Sequence, residues 1–387
     1  MAGIYIHIPF CKQACHYCNF HFATSLRYKN ELIAALLKEI ELTDFLSDLS
    51  LSTSSSDGER GANSENIETI YFGGGTPSLL TKEELAAVLD KLKSRFEIVA
   101  DAEITLEANP DDITQEKLLD WKAIGINRLS IGIQSFFEED LKWMNRAHNA
   151  QQAMDNLILA RKHFDNITID LIYGTPQLTD EKWKHNVDTA IALNIPHLSC
   201  YALTVEPKTP LDKMIQQHKS EAVDPDKQSE QFLLLMNWVK AAGYEHYEIS
   251  NFAKTGWRSR HNSSYWQGKN YLGLGPSAHS FNGKERQWNI ANNNIYIDSI
   301  NKDILPVEKE ELTNTQQLNE YIMTALRTME GINFEVLRFK FGVERTAFLL
   351  RAKKFIENNL LRQEADALIL TNEGKLLADG IAADLFY

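Results

Sequence analysis

Three cysteines near the N-terminus carry the clearest chemistry. Cys11, Cys15 and Cys18 form a Cys-x3-Cys-x2-Cys run. Three thiolates on one short loop can hold three corners of a 4Fe–4S cube. A fourth cysteine just beyond would close the cube, but Asn19 and Phe20 stand there, which leaves one iron open to an exogenous ligand. Structural zinc is the competing use of the same thiols. It takes a closed set of four ligands, and His16 or His21 is available to complete it. Cys200 has no cysteine near it in sequence and reads as a small buried hydrophobe in a strand.

A second feature is Tyr71-Phe-Gly-Gly-Gly-Thr-Pro-Ser78. Its glycines let backbone approach a ligand closely and turn N–H groups toward it. Such a turn is common after a strand, so its weight comes from standing downstream of the cysteine run.

The elements that must position these groups alternate. Strand-like runs are Ile4–Ile8, Thr69–Phe72, Glu103–Glu107, Arg128–Ile133, Ile167–Ile172 and His197–Leu203. Helical patterns fall at Tyr28–Leu46, Lys82–Phe96, Gln115–Ala123, Asp140–Phe164, Asp180–Leu193 and Asp226–Ala242. Strands separated by helices predict an α/β fold with a parallel sheet, curled into a partial (β/α)6-type barrel. The site then belongs at the C-terminal ends of the strands. Residues 47–66 are Ser-rich, polar and without period, and read as a flexible loop. The pattern changes near residue 306. Helices at Asn314–Met329 and Arg345–Asn358, a hairpin over Leu361–Leu370 and a last helix from Thr371 predict a smaller, mostly helical, winged-helix-like domain over 306–387. Residues 1–305 make up the barrel domain, with 245–300 as an extension to it.

Composition narrows the function. The formal net charge of the 387 residues is −13. Broad nucleic-acid binding needs clustered Lys and Arg, so no nucleic-acid partner is expected, and the winged-helix-like part reads as structural. The N-terminus lacks the basic region and long apolar stretch of a signal peptide, and no run is long enough for a membrane helix. The expected location is cytoplasmic, with any membrane contact made through partners.

Cys-x3-Cys-x-aromatic-Cys after a first strand, with Tyr17 as the aromatic, resembles the radical S-adenosylmethionine (SAM) superfamily. Further landmarks resemble its oxygen-independent coproporphyrinogen III oxidase family over nearly the whole chain. They are Tyr5-Ile-His-Ile-Pro-Phe-Cys, Gly-Gly-Gly-Thr-Pro, Leu106-Glu-Ala-Asn-Pro, Ile131-Gly-Ile-Gln-Ser-Phe, Asn145-Arg-Ala-His, Ile169-Asp-Leu-Ile-Tyr-Gly and Leu198-Ser-Cys-Tyr-Ala-Leu. The resemblance implies a 4Fe–4S cluster on the three cysteines and an electron donor to reduce it. It also implies a SAM site of Tyr5, Tyr17, Gly74, Gly75, Thr76, Glu107, Gln134, Arg146, Asp170 and Ala202. A second Gly-rich turn, Leu272-Gly-Leu-Gly-Pro-Ser-Ala-His279, adds His279.

Two departures separate the chain from the decarboxylating oxidase: Phe20 in place of a fourth cysteine, and a short N-terminus before Tyr5. His261-Asn-Ser-Ser-Tyr-Trp266 instead resembles the His-Asn-x2-Tyr-Trp motif of the family's heme chaperone branch. That branch implies heme as cargo, delivered to membrane-bound respiratory cytochromes or oxidases by docking, with homodimerisation left open. His261, Asn262, Tyr265 and Trp266 become heme-binding candidates, since imidazole ligates heme iron and the aromatic rings stack on a macrocycle. The alternative activity is oxidative decarboxylation of coproporphyrinogen III. No catalytic residue is assigned. A third reading is a zinc-binding structural or regulatory protein.

Overall fold

The computed structural model describes residues 2–43 and 66–387. The six expected strands are β1 (Ala2–Ile8), β2 (Ile67–Gly74), β3 (Ile98–Ala108), β4 (Arg128–Gln134), β5 (Ile167–Tyr173) and β6 (His197–Ala202). They pair in parallel and in sequence order. Strands β1, β4 and β5 are almost wholly buried, as strands covered on both faces must be. The covering helices of this half are α1 (Lys29–Leu42), α2 (Lys82–Arg95), α3 (Gln115–Ile124), α4 (Glu138–Trp143), α5 (Ala150–Arg161), α6 (Asp180–Ala192), α7 (Pro210–Gln216) and α8 (Pro225–Ala241). Their starts are written locally. Thr81 with Glu84, and Asn149 with Gln152, form reciprocal capping boxes at α2 and α5. Residues 47–65 of the expected flexible loop lie outside the described residues.

One expected helix is two. The pattern from Asp140 to Phe164 breaks between α4 and α5, where Asn145 takes φ 58°. Asparagine tolerates this left-handed conformation, which no α-helix can include. Apolar periodicity continues through the break because each piece buries its own residues, Leu141 on α4 and Ala153, Leu157 and Ala160 on α5.

Both edges of the sheet are then extended. Hairpin β7 (Glu245–Glu248) and β8 (Asn251–Ala253) adds antiparallel to β6. After α9 (Arg260–Trp266), strand β9 (Tyr271–Leu274) runs parallel beside β1. Strands β10 (His279–Phe281), β11 (Glu285–Asn289) and β12 (Val307–Glu311) continue outward, with α10 (Asn293–Asn301) between the last two. The sheet has twelve strands in the order β12-β11-β10-β9-β1-β2-β3-β4-β5-β6-β8-β7. Segment 245–300 therefore serves two opposite edges. Because β12 pairs with β11, the sheet also runs past the expected boundary at 305.

The C-terminal part comprises α11 (Asn314–Leu326), β13 (Ile332–Asn333), α12 (Phe334–Phe341), α13 (Arg345–Glu357), β14 (Leu361–Glu364), β15 (Ala367–Leu370), α14 (Asn372–Lys375) and α15 (Ala378–Leu385). Its sequence reading lacked β13 and α12, which are too short for periodicity to reveal. Ile322, Leu337, Phe348, Leu368 and Leu385 build an apolar core of its own. Arg327 ties it to the large sheet through Glu248, at 3.0 Å. Among the described residues no helix is long and apolar enough to cross a membrane.

Candidate functional site

The C-terminal ends of β1 to β6 converge on one cavity of about 490 Å³, lined by residues of every one of these strands. Such convergence requires the sheet to curl. Cys11, Cys15 and Cys18 line this cavity, and so do Tyr5, Tyr17, Gly74, Gly75, Thr76, Glu107, Gln134, Arg146, Asp170 and Ala202. His279 does not line it. It is exposed on β10 with its ring stacked on Trp288, 6.0 Å between centroids.

The cysteine loop is stapled from distant segments. Gln13 Nε2 donates to Asn145 Oδ1 at 2.6 Å, and Asn145 Nδ2 donates to the Ala14 carbonyl at 2.7 Å. His16 N–H bonds the Met144 carbonyl, and its ring Nδ1 lies 2.8 Å from the Trp143 carbonyl. The break between α4 and α5 thus supplies most of the loop's anchors. The same break delivers Arg146, whose Nη1 is 3.2 Å from Cys15 Sγ and whose Nη2 bonds Asn109 Oδ1 at 2.6 Å. Asn109 continues to Thr76 Oγ1 at 3.2 Å, and Thr76 Oγ1 lies 3.6 Å from Cys11 Sγ. A hydrogen-bonded arc therefore links two of the three sulfurs through Arg146, Asn109 and Thr76. Asn109 was missed as a site residue, although it stands in the Leu106-Glu-Ala-Asn-Pro landmark.

Burial pushes the Cys11 thiol up to about 11, against the Thr76 hydroxyl, and Cys18 is also raised by burial. Buried thiols of this kind need a cation to ionise, and the Arg146 guanidinium is the nearest. One guanidinium at Cys15 and a hydroxyl donor at Cys11 suit thiolates held together. Among the described residues no three His, Cys, Asp or Glu side chains converge on one point as a single ion requires. A cube presents a separate iron to each thiolate, so the donor set fits a 4Fe–4S cluster better than zinc.

The Gly-rich turn has no room for side chains. Gly74 has φ +106°, and a Cβ there would meet the His7 ring at 2.7 Å. A Cβ on Gly75 would lie 2.6 Å from the Phe10 carbonyl oxygen, which is backbone and cannot yield cheaply. The turn therefore packs directly under the start of the cysteine loop.

The cavity floor is acidic, with Glu107 and Asp170 half-buried. Glu107 accepts from Tyr71 Oη at 2.8 Å. Burial pushes its carboxyl up to about 8, and the nearby Asp170 adds to this against the Tyr71 and Gly74 donors. Burial raises Asp170 to about 6, with Arg128 opposing. Arg128 was also missed. It is 1% exposed, its Nε lies 3.9 Å from Glu103, and none of its nitrogens has a hydrogen-bond partner among the described residues. Only the fold could reveal it, because a strand-start arginine reads as solvent-facing.

The expected heme-binding hexapeptide lies elsewhere, on α9. His261 is 1% exposed, with Nδ1 2.7 Å from Thr69 Oγ1 and Nε2 2.8 Å from Tyr265 Oη. Its ring stacks on Tyr71, 5.0 Å between centroids. Burial lowers it to about 3, so it is neutral. Both nitrogens are engaged in this arrangement, so ligation of iron by His261 would require one of these bonds to break. Tyr265 is spent on the same bond. Trp266 packs under the guanidinium of Arg327 at the end of α11, 5.2 Å from the ring centroid, and the Asn262 backbone N–H donates to Ser259 Oγ, which caps α9. None of the four lines the cavity. They fasten α9 to the sheet and to the C-terminal part.

Residues 5–190 match the radical SAM superfamily, and residues 312–377 match the HemN C-terminal domain. The heme chaperone HemW of Bacillus subtilis (strain 168) is 33% identical over 386 residues, 98% of each chain. The heme chaperone HemW of Mycobacterium tuberculosis (strain ATCC 25618 / H37Rv) is 33% identical over 99% of this chain and 94% of its own. The mouse mitochondrial radical S-adenosyl methionine domain-containing protein 1 is 37% identical over 72% of this chain and 60% of its own. Among solved structures, coproporphyrinogen III oxidase (HemN) of Escherichia coli superposes with a TM-score of 0.82, at 22% identity, over 100% of this chain and 90% of that one. That likeness shows the shared fold. The motifs, the curled parallel sheet and the near full-length identity to HemW together establish that this chain belongs to the radical SAM superfamily and, within it, to the family of the heme chaperone HemW.

Proposed function

We propose that this chain carries heme as cargo and passes it to membrane-bound heme-receiving proteins by docking. In this reading Cys11, Cys15 and Cys18 hold a 4Fe–4S cluster, and Tyr5, Tyr17, Gly74, Gly75, Thr76, Glu107, Gln134, Arg146, Asp170 and Ala202 form the SAM site. When bound, the cluster and SAM would supply one-electron radical chemistry. The chain's own residues do the rest. Arg146 places positive charge against Cys15, the Gly74–Gly75 turn lets bare backbone form part of the cavity wall, and Glu107 offers a carboxyl to a cationic group. Partner choice, the electron donor and homodimerisation belong to this proposal as well.

The observation that carries it is the end of the cysteine loop. Phe20, where the oxidase has a fourth cysteine, is 68% exposed and lines the cavity rim. An exposed ring beside the cluster gives the mouth an apolar surface rather than a fourth thiol. The test is anaerobic reconstitution followed by heme titration. A heme Soret band at stoichiometric loading is expected, and its absence sinks the proposal. Multiple-turnover formation of protoporphyrinogen from coproporphyrinogen III, with SAM and reductant, would replace it with the oxidase reading.

A further inference from the structure

A row of four polar residues crosses the sheet from the cavity floor to the C-terminal part. Asp170 on β5 faces Ser199 on β6, Ser199 faces Asn251 on β8, and Asn251 faces Glu248 on β7. Each is hydrogen-bonded to the next. The Ser199 hydroxyl meets the Asp170 carboxyl. Ser199 Oγ donates to Asn251 Oδ1 at 3.0 Å, and Asn251 Nδ2 donates to Glu248 Oε2 at 2.6 Å. The same Glu248 oxygen accepts from the Ser250 N–H at 3.0 Å, and Arg327 Nη2 lies 3.0 Å from the other. Glu248 also forms a β-bridge with Thr328, so the row ends at the C-terminal part. Asp170 lines the cavity and the other three do not. Those three are at most 4% exposed, so their polar groups depend on one another.

The row has fewer protons than its acceptors call for. Three donors converge on Glu248, which therefore takes the Asn251 NH2 and turns the amide oxygen toward Ser199. A serine hydroxyl has one proton. Asn251 Oδ1 and an ionised Asp170 both require it. A proton from Thr168 Oγ1, 3.3 Å from Ser199 Oγ, reaches only the serine oxygen and leaves the shortage as it is. While Asn251 holds the Ser199 proton, Asp170 is best matched in its protonated form, donating to Ser199 Oγ. Without that claim, Ser199 donates to an ionised Asp170.

We propose that Glu248, by fixing the Asn251 amide, draws the Ser199 proton away from Asp170 and so sets the charge of the cavity floor from the C-terminal junction. Ser199, Asn251 and Glu248 are then positioning residues that act through Asp170. The proposal rests on the reading of Asp170 as part of the SAM site. Burial raises Asp170 to about 6, and Arg128 on β4, the Ser199 hydroxyl and Arg146 after α4 oppose it. Glu107 on β3, Tyr71 on β2, and Cys200 and Tyr201 on β6 are within electrostatic reach. None of these groups, Ser199 apart, bonds the Asn251 amide, so they stay constant across the variants below.

The test follows the infrared band of protonated carboxyl against pH in the full, cluster-reconstituted chain without SAM, with Asp170→Asn identifying the band. Asn251→Ala removes the competing oxygen and changes no charge. Asp170 should then titrate lower by about half a unit to one unit, the size of one net hydrogen bond. Glu248→Gln can donate to Asn251 and let its amide turn over, and should act in the same direction. Ser199→Ala should raise the midpoint and break the row. Asn251→Ala should add nothing in that background, and Glu248→Gln less than it adds with Ser199 present. Either pair decides by itself should the other variant not fold. An unchanged midpoint in Asn251→Ala, with wild-type circular dichroism, overturns the proposal. Equal shifts with and without Ser199 also overturn it, because charge or packing then acts on Asp170 directly. SAM affinity is a separate readout. A displaced midpoint with SAM affinity unchanged at every pH supports the row and removes Asp170 from the SAM site.

Discussion

Replacing His261 with leucine separates a structural histidine from a heme ligand. Leucine fills the space but removes both nitrogens. Thr69 Oγ1 and Tyr265 Oη, now 2.7 and 2.8 Å from the ring, would lose their partner in a buried setting. Each buried group left unsatisfied costs about 1–3 kcal/mol, so the pair costs about 2–6 kcal/mol. At about 1.2 °C per kcal/mol for a chain this long, the unfolding midpoint should fall by at least about 2 °C. His261→Gln, which can both donate and accept, should lose less than half as much. The pH dependence supplies a second signature. The unfolded imidazole titrates at the usual 6.5 and the folded one near 3, so between those values unfolding takes up a proton. Stability contributed by neutral His261 is present above pH 6.5 and is lost as pH falls, by about 1.4 kcal/mol per unit. The leucine variant should show a shallower acid limb. Thermal unfolding by circular dichroism, with heme titration well below the midpoint, reads both effects. Heme affinity that collapses while midpoint and acid limb stay unchanged would falsify the structural assignment.

Other expectations follow from the same geometry. Gly75→Ala should reduce iron per chain after reconstitution, because the added methyl meets the Phe10 carbonyl beside Cys11; full iron content with wild-type absorbance would contradict the packing. Arg146→Met should lower cluster content, and Arg146→Lys should recover part of the charge but not the link to Asn109. Iron content independent of residue 146 would count against the arc. Glu107, raised to about 8, is mostly protonated at pH 7, so a cationic group that pairs with it should expel about one proton. Calorimetry of SAM binding in buffers of different ionisation enthalpy should show that release at pH 7 and little at pH 9. The release should vanish in Glu107→Gln; a buffer-independent enthalpy at pH 7 in the wild type would remove Glu107 from the cationic end of the site.

The parallel sheet and the cysteine loop were legible because each rests on short-range pattern. Strands β1 to β6 announce themselves as apolar runs bounded by turns, and Cys11, Cys15 and Cys18 carry their meaning in their spacing. Residues that act across the fold were legible only through resemblance, as Glu107 and Asp170 were, or not at all. Arg128 is the sharpest case. Nothing in Arg-Leu-Ser-Ile-Gly-Ile-Gln says which face of the strand is enclosed, and in a curled sheet one face is the barrel interior. His261 shows the converse. Its motif is local, but its partners Thr69 and Tyr71 are on β2, and only their proximity shows that its nitrogens are taken.

The break between α4 and α5 joins these observations. A continuous helix through residues 140–164 satisfies the apolar pattern, yet it has no place for Asn145 at φ 58°. The cost of the break is a local loss of helical bonds. In return Met144 and Asn145 bond the cysteine loop, and Arg146 reaches a sulfur. A loop bearing three cysteines has few anchors of its own beyond Tyr17, which packs on the apolar cluster around Met144, and Lys12, which pairs with Asp111 and Asp112; its exposed ring, Phe20, packs on nothing that buries it. The anchoring must therefore come from outside the loop, and it comes from a segment more than a hundred residues away whose conformation exists for that contact. Asn145 and Arg146 thus shape the cysteine loop as directly as its own residues do. Straightening the helix, for example by Asn145→Ala, should release the loop before it unfolds the sheet.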